Sequence, residues 1–155
     1  MKSAIIASLT AASLAFVAVA VAQTPADAPA FMKARHARFH DIGKAMKGVS
    51  EQLKSPSPSV PDIQAGAKVI DTLAPQVITW FPRGTGPEVG IKTGARAEIW
   101  QRPDEFRKDA ADFAAAAHRF NAAAQGGDVA AIKAAYPALG GACKTCHDSF
   151  RQKDD

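Results

Sequence analysis

Apolar residues recur through most of this chain at alternating intervals of three and four, the period of one face of an α-helix. The first such stripe is Phe31, Arg35, Phe39, Ile42, Met46, Val49 and Leu53, with Arg35 its one charged member. Ser55-Pro56-Ser57-Pro58-Ser59 ends it as a loop. A second helix is predicted from about Pro61, with Ser59 or Val60 at its boundary and proline in the first turn, where a missing N–H costs nothing. Its stripe is Ile63, Ala67, Ile70, Ala74 and Val77, and Pro75 inside it predicts a kink or a split. A third helix is expected from about Pro103 to Gln125, carrying Phe106, Ala110, Phe113, Ala117, Phe120 and Ala124. Gly126-Gly127 breaks the chain and Asp128 is a good N-cap. The fourth stripe is Val129, Ile132, Tyr136, Leu139, Cys143, Cys146 and Phe150, with Pro137 expected to bend or interrupt it.

Four amphipathic helices with no competing strand signal predict an all-α fold, an antiparallel four-helix bundle. The longest connection, from Phe81 to Arg96, holds Pro82, Gly84, Gly86, Pro87, Gly90 and Gly94 and cannot sustain a helix. Loops of that length in a compact domain often serve function. Glu98-Ile99-Trp100 follows it, and Trp80 and Trp100 read first as core or loop-anchoring residues.

The N-terminus changes the picture of where this domain works. Lys2, an apolar run from Ala4 to Ala22 and the small-x-small site Ala20-Val21-Ala22 read as a secretory signal peptide over residues 1–22. The bundle then occupies 23–155, and a retained membrane anchor is the alternative. The formal net charge of +4 includes Lys2 of the leader, and the remaining cations are dispersed among acids. That gives no support to nucleic-acid binding and predicts a soluble protein once the leader is removed.

The chemistry lies in Cys143-Lys144-Thr145-Cys146-His147. Cys-x-x-Cys-His is the attachment signature of a covalent c-type haem, in which the two sulfurs bond the vinyl groups and the imidazole ligates the iron. On a helix, positions i, i+3 and i+4 share one face, so both sulfurs and the imidazole can meet one porphyrin. Both cysteines also fall on the apolar seam, which holds the haem against the bundle interior. A thioredoxin-like dithiol belongs near a βαβ unit, and nothing β-like surrounds this one. A structural zinc site wants four ligands, and His36, His40 and His118 are not spaced as a second pair. A disulfide across three residues of a helix has poor geometry. The small residues of the third helix are expected to leave room for the haem.

The chain resembles the class II c-type cytochromes, closest to the cytochrome c prime group. The resemblance covers nearly all of 23–155. It rests on Ala34-Arg35 with Phe39, Gly43 and Met46 behind it, on Phe81-Pro82-Arg83-Gly84-Thr85, on Glu98-Ile99-Trp100, and on Cys143 through Arg151. It implies one covalent haem c per chain, with Cys143 and Cys146 as attachment points and His147 as the iron ligand. It implies that Phe39 faces the vacant distal side and that Arg35 lies near a haem propionate. Arg151 matches a basic residue beside the proximal pocket. Phe39 has no lone pair, so the resemblance implies a five-coordinate, high-spin iron that binds nitric oxide or carbon monoxide, in the periplasm. The alternative is a low-spin, six-coordinate electron carrier with a redox partner protein. An enzyme such as a peroxidase wants distal acid–base groups that Phe39 does not offer, so the expectation is a protein that is not an enzyme. Met46, His36 and His40 are the upstream groups able to supply a sixth ligand. A homodimer through the first two helices is also implied.

Overall fold

The chain folds, in a computed structural model that describes residues 27–152, into the expected bundle. The leader assigned to residues 1–22 and its cleavage site lie outside the described residues. Helix α1 spans Ala28–Lys54 and α2 spans Val60–Leu73. A single-turn helix, α3, covers Glu98–Gln101, and α4 (Pro103–Gly126) and α5 (Val129–Phe150) complete the bundle. Among the described residues no helix is long and apolar enough to cross a membrane.

Local chemistry accounts for the boundaries. Ser59 caps α2 by accepting from the Asp62 N–H, and its own N–H is held by Gln52 Oε1 at 2.9 Å, which ties the serine-proline loop to the end of α1. Pro75 splits the second stripe: it has no N–H to return toward Asp71, so α2 stops at Leu73 and Ala74–Trp80 continues as a 3-10 segment. Pro137, in contrast, does not interrupt α5, which runs through it. That proline is exposed, so the carbonyl it leaves unbonded is solvated. Gly127 closes α4 in the left-handed region at φ 76°, and Asp128 Oδ1 accepts from the Ala130 N–H at 2.9 Å to start α5.

The predicted stripes form the core. Val49, Ile63, Ile70, Trp80, Phe120, Ile132 and Leu139 are fully or almost fully buried. Helix α1 packs on α2, α2 on α4 and α4 on α5. A β-carbon at Gly66 would meet Val49 Cγ2 at 2.8 Å, so glycine there allows α1 and α2 their close approach. Ala110, Ala117 and Ala124 lie buried on the packed face of α4. The open side of the bundle lies between α1 and α5, whose backbones scarcely meet. A hydrogen bond bridges that side, from the Tyr136 hydroxyl to the Met46 carbonyl at 3.2 Å.

Candidate haem-binding site

Cys143, Cys146 and His147 occupy the last two turns of α5. Both thiols are half-buried against the core and neither is in a disulfide, while the imidazole stands more exposed. Burial raises the pKa of Cys143. Burial, then the charge of Asp109, push Cys146 up to about 12. A redox dithiol needs a depressed thiol pKa, so this environment is unsuited to thioredoxin-type exchange. The pKa of His147 is lowered, first by its apolar surroundings and then by Arg151. At neutral pH the ring is therefore uncharged and keeps a lone pair for a metal. Among the described residues no cluster of three or more His, Cys, Asp or Glu side chains is set to hold a metal ion.

The long loop is fastened to the residues just after the signature. Arg96 N–H donates to Phe150 O at 3.0 Å and Gln152 N–H donates to Gly94 O at 2.8 Å, around an antiparallel bridge between Ala95 and Arg151. Trp100 anchors the other half of the loop, its indole N–H shared between Phe81 O and Pro82 O at 3.2 Å each. The loop-anchoring reading of Trp100 is thus what the structure shows.

From the opposite side α1 presents Arg35 and Phe39, one turn apart. The ring of Phe39 is edge-on to Trp80 at 5.1 Å and tilted against Phe81 at 6.0 Å. Phe81 meets Phe106 at 4.9 Å, and Phe106 meets Phe150 at 5.3 Å. An aromatic wall therefore runs from α1, across the loop and α4, to α5 one turn beyond Cys146. Arg35 is only 5% exposed and lies over the Phe81 ring at 4.6 Å. Its guanidinium donates to Thr85 Oγ1 at 3.2 Å, Thr85 O at 3.0 Å and Thr93 Oγ1 at 3.1 Å. Burial lowers its pKa, with Glu88 acting in the other direction, yet it makes no ion pair with a carboxylate among the described residues. An arginine stays protonated even so, and the charge of Glu88 offsets part of the cost of burying it.

The remaining sequence candidates stand apart from this wall. His36 and His40 are exposed on α1, Met32 is buried in the core, and Met46 is half-buried two turns beyond Phe39. His118 lies at the surface, 3.5 Å from Asp71. Sequence reasoning missed Thr85 and Thr93 as the residues that hold Arg35. Thr85 stood inside the quoted Phe81-to-Thr85 segment, but nothing in a threonine's spacing announces a partner on a helix 50 residues earlier.

A c-type haem requires two thiols and a neutral imidazole on one helical face, apolar walls for its ring and cationic partners for its carboxylates. The donor set, the aromatic wall and the buried guanidinium of Arg35 meet each requirement, so these residues fit the group. The Cytochrome C' family profile matches residues 30–151. The chain is 36% identical over 124 residues to a cytochrome c′ of Pararhodospirillum photometricum, covering 79% of this chain and 97% of that one. Its fold is similar to that of the crystal structure of cytochrome c′ from Thermochromatium tepidum, with a TM-score of 0.77 and 28% identity over 82% of this chain and 98% of that one. It is similar as well to a nitric oxide complex of a cytochrome c prime variant from Alcaligenes xylosoxidans, with a TM-score of 0.73 and 27% identity over 83% and 98%. With the haem-attachment signature, the four-helix bundle and the family match in agreement, this chain belongs to the cytochrome c′ family of class II c-type cytochromes.

Proposed function

We propose that this cytochrome c′ binds small diatomic gases, nitric oxide and carbon monoxide, at a five-coordinate, high-spin iron ligated by His147. Its covalently held haem c supplies the open iron position that such a ligand takes. Cys143 and Cys146 are the attachment points. The observation that carries the reading is the seat of Phe39. Its ring is edge-on to Trp80 and tilted against Phe81, and a phenyl ring offers no lone pair. His36 and His40 turn to solvent and Met46 lies two turns away, so α1 offers no sixth ligand at the same level.

Each protein group then has a defined task. His147, uncharged at neutral pH, presents its lone pair from the end of α5. Phe39 excludes water and makes an incoming gas molecule displace a packed ring. Arg35, held by Thr85 and Thr93, directs its remaining N–H donors at a haem propionate, which supplies the anion its burial calls for. The bridge between Ala95 and Arg151 keeps the loop closed over the residues that follow His147. A gas-binding complex of a related cytochrome c prime supports the ligand class. Export to the periplasm is supported by the leader sequence, and pairing of two copies through α1 and α2 by the family resemblance and by exposed Phe31 and Val69 on those helices.

Optical and electron paramagnetic resonance spectra of the purified ferric and ferrous protein test this reading. A high-spin spectrum that changes on adding carbon monoxide is the expected result. A low-spin, six-coordinate spectrum lost in His40→Ala or Met46→Ala overturns it in favour of an electron carrier.

A further inference from the structure

The second half of the long loop has little to hold it but hydrogen bonds. None of residues 87–94 is buried, and the regular structure there is the single 3-10 turn Pro87–Val89. Packing therefore does little to place this stretch. Thr93 receives two of the bonds that do. The Arg35 guanidinium donates to Thr93 Oγ1 at 3.1 Å through Nη2, whose other N–H goes to Thr85 O at 3.0 Å. The Ala95 N–H donates to the same threonine oxygen at 3.2 Å. A hydroxyl oxygen has two lone pairs, so both acceptor positions of Thr93 are taken. One bond ties the loop to α1, in the turn before Phe39. The other sets the direction of the backbone two residues on, as threonine turns do.

From Ala95 the line of bonds continues to the attachment signature. Ala95 pairs with Arg151, flanked by Arg96 N–H to Phe150 O at 3.0 Å and Gln152 N–H to Gly94 O at 2.8 Å. The Arg151 N–H turns back to His147 O at 3.1 Å and closes the last turn of α5. The end of α5 that carries His147 is thus tied, through Ala95 and one threonine oxygen, to a guanidinium on α1. That guanidinium is a firm anchor, being 5% exposed, bonded to Thr85 as well and seated over the Phe81 ring. A valine at position 93 would have the same shape as threonine and could accept neither bond.

We propose that Thr93 is a positioning residue for the proximal imidazole: its hydroxyl holds the loop's bridge to α5 at a set place relative to α1, and so fixes the orientation of His147 at the iron. This rests on the reading of His147 as the iron ligand above. Thr93→Val deletes both acceptor positions, Thr93→Ser keeps them, and Thr79→Val removes an exposed hydroxyl that bonds locally to Gln76 O. All are compared as covalently loaded ferric protein, by amide hydrogen exchange and by the paramagnetically shifted side-chain protons of His147 in the NMR spectrum. Those shifts report the ring's orientation whether the iron has five ligands or six. Thr93→Val should speed exchange at Ala95, Arg96 and Gln152 roughly 2- to 12-fold, the loss of one ordinary hydrogen bond, and should displace the His147 signals. Thr93→Ser and Thr79→Val should leave both unchanged. Faster exchange with the His147 signals unmoved overturns the proposal, since the hydroxyl then serves the loop alone. A displacement that Thr93→Ser shares also overturns it, because the methyl group and not the hydroxyl is then responsible. Unshifted His147 protons in the unmodified protein overturn the iron-ligand reading itself, a failure seen without any variant. Should Thr93→Val fail to take up haem, the unmodified protein still decides: an Ala95 amide that exchanges as freely as that of exposed Lys92 overturns the assignment.

Discussion

Phe39→Ala removes the ring proposed to stand in the path of a gas ligand, and its effect follows from the two contacts that hold the ring. Phe39 sits 5.1 Å from Trp80 and 6.0 Å from Phe81. Aromatic pairs of this kind are worth about 0.5–1.5 kcal/mol each, so swinging the ring aside costs about 1–3 kcal/mol. If carbon monoxide must pay that cost to reach the iron, deleting the ring raises the association rate roughly 5- to 160-fold. The substitution also costs stability. Truncating a fully buried phenylalanine costs about 3–5 kcal/mol, and this ring is partly exposed, so about 2 kcal/mol is expected, with a Tm several degrees lower. The assay is stopped-flow mixing of dithionite-reduced protein with carbon monoxide, after thermal melts and a haem stain confirm that the variant is folded and loaded. Met46→Ala is the control and should leave the rate near that of the unmodified protein. An unchanged or slower rate in folded, loaded Phe39→Ala would refute the distal placement of Phe39.

The remaining predictions concern attachment, coordination, the role of the haem in folding, and export. Haem should stay with the polypeptide on a denaturing gel and leave it in the Cys143→Ala, Cys146→Ala double variant; haem extracted by acid-acetone from the unmodified protein would contradict this. Phe39→Met should convert the optical spectrum toward low-spin, six-coordinate haem, whereas His40→Ala should leave it unchanged, because His40 points to solvent. Protein made without haem should lose its cooperative thermal melt by circular dichroism, since the wide side between α1 and α5 then lacks the contacts a haem provides. Mass spectrometry of protein recovered from the periplasmic fraction should show an N-terminus at Gln23, and retention of residues 1–22 would contradict the leader assignment.

The helices and the attachment signature were readable in the chain because both depend on short-range periodicity. A stripe such as Phe106, Ala110, Phe113, Ala117, Phe120 and Ala124 states which face turns inward whatever lies opposite. Cys143, Cys146 and His147 share a face by the same helical geometry. The two internal prolines show where that reading stops. Both remove one backbone N–H, yet Pro75 ends α2 and Pro137 leaves α5 intact, because the outcome depends on what surrounds the freed carbonyl and how the chain must continue. The alanines of α4 show the same limit: small side chains permit either a cavity or close packing, and which of the two each serves depends on the elements opposite it. The guanidinium of Arg35 is held by Thr85 and Thr93, 50 and 58 positions away. Among the described residues the N–H of Trp80 meets no acceptor while that of Trp100 has two. Hydrogen-bond partners across such separations are set by how a glycine-rich loop folds over two helices. No local period encodes that path, so the chain alone pointed to His147, Cys143 and Cys146 as candidates, and only the tertiary structure assembled the aromatic wall and seated the Arg35 guanidinium.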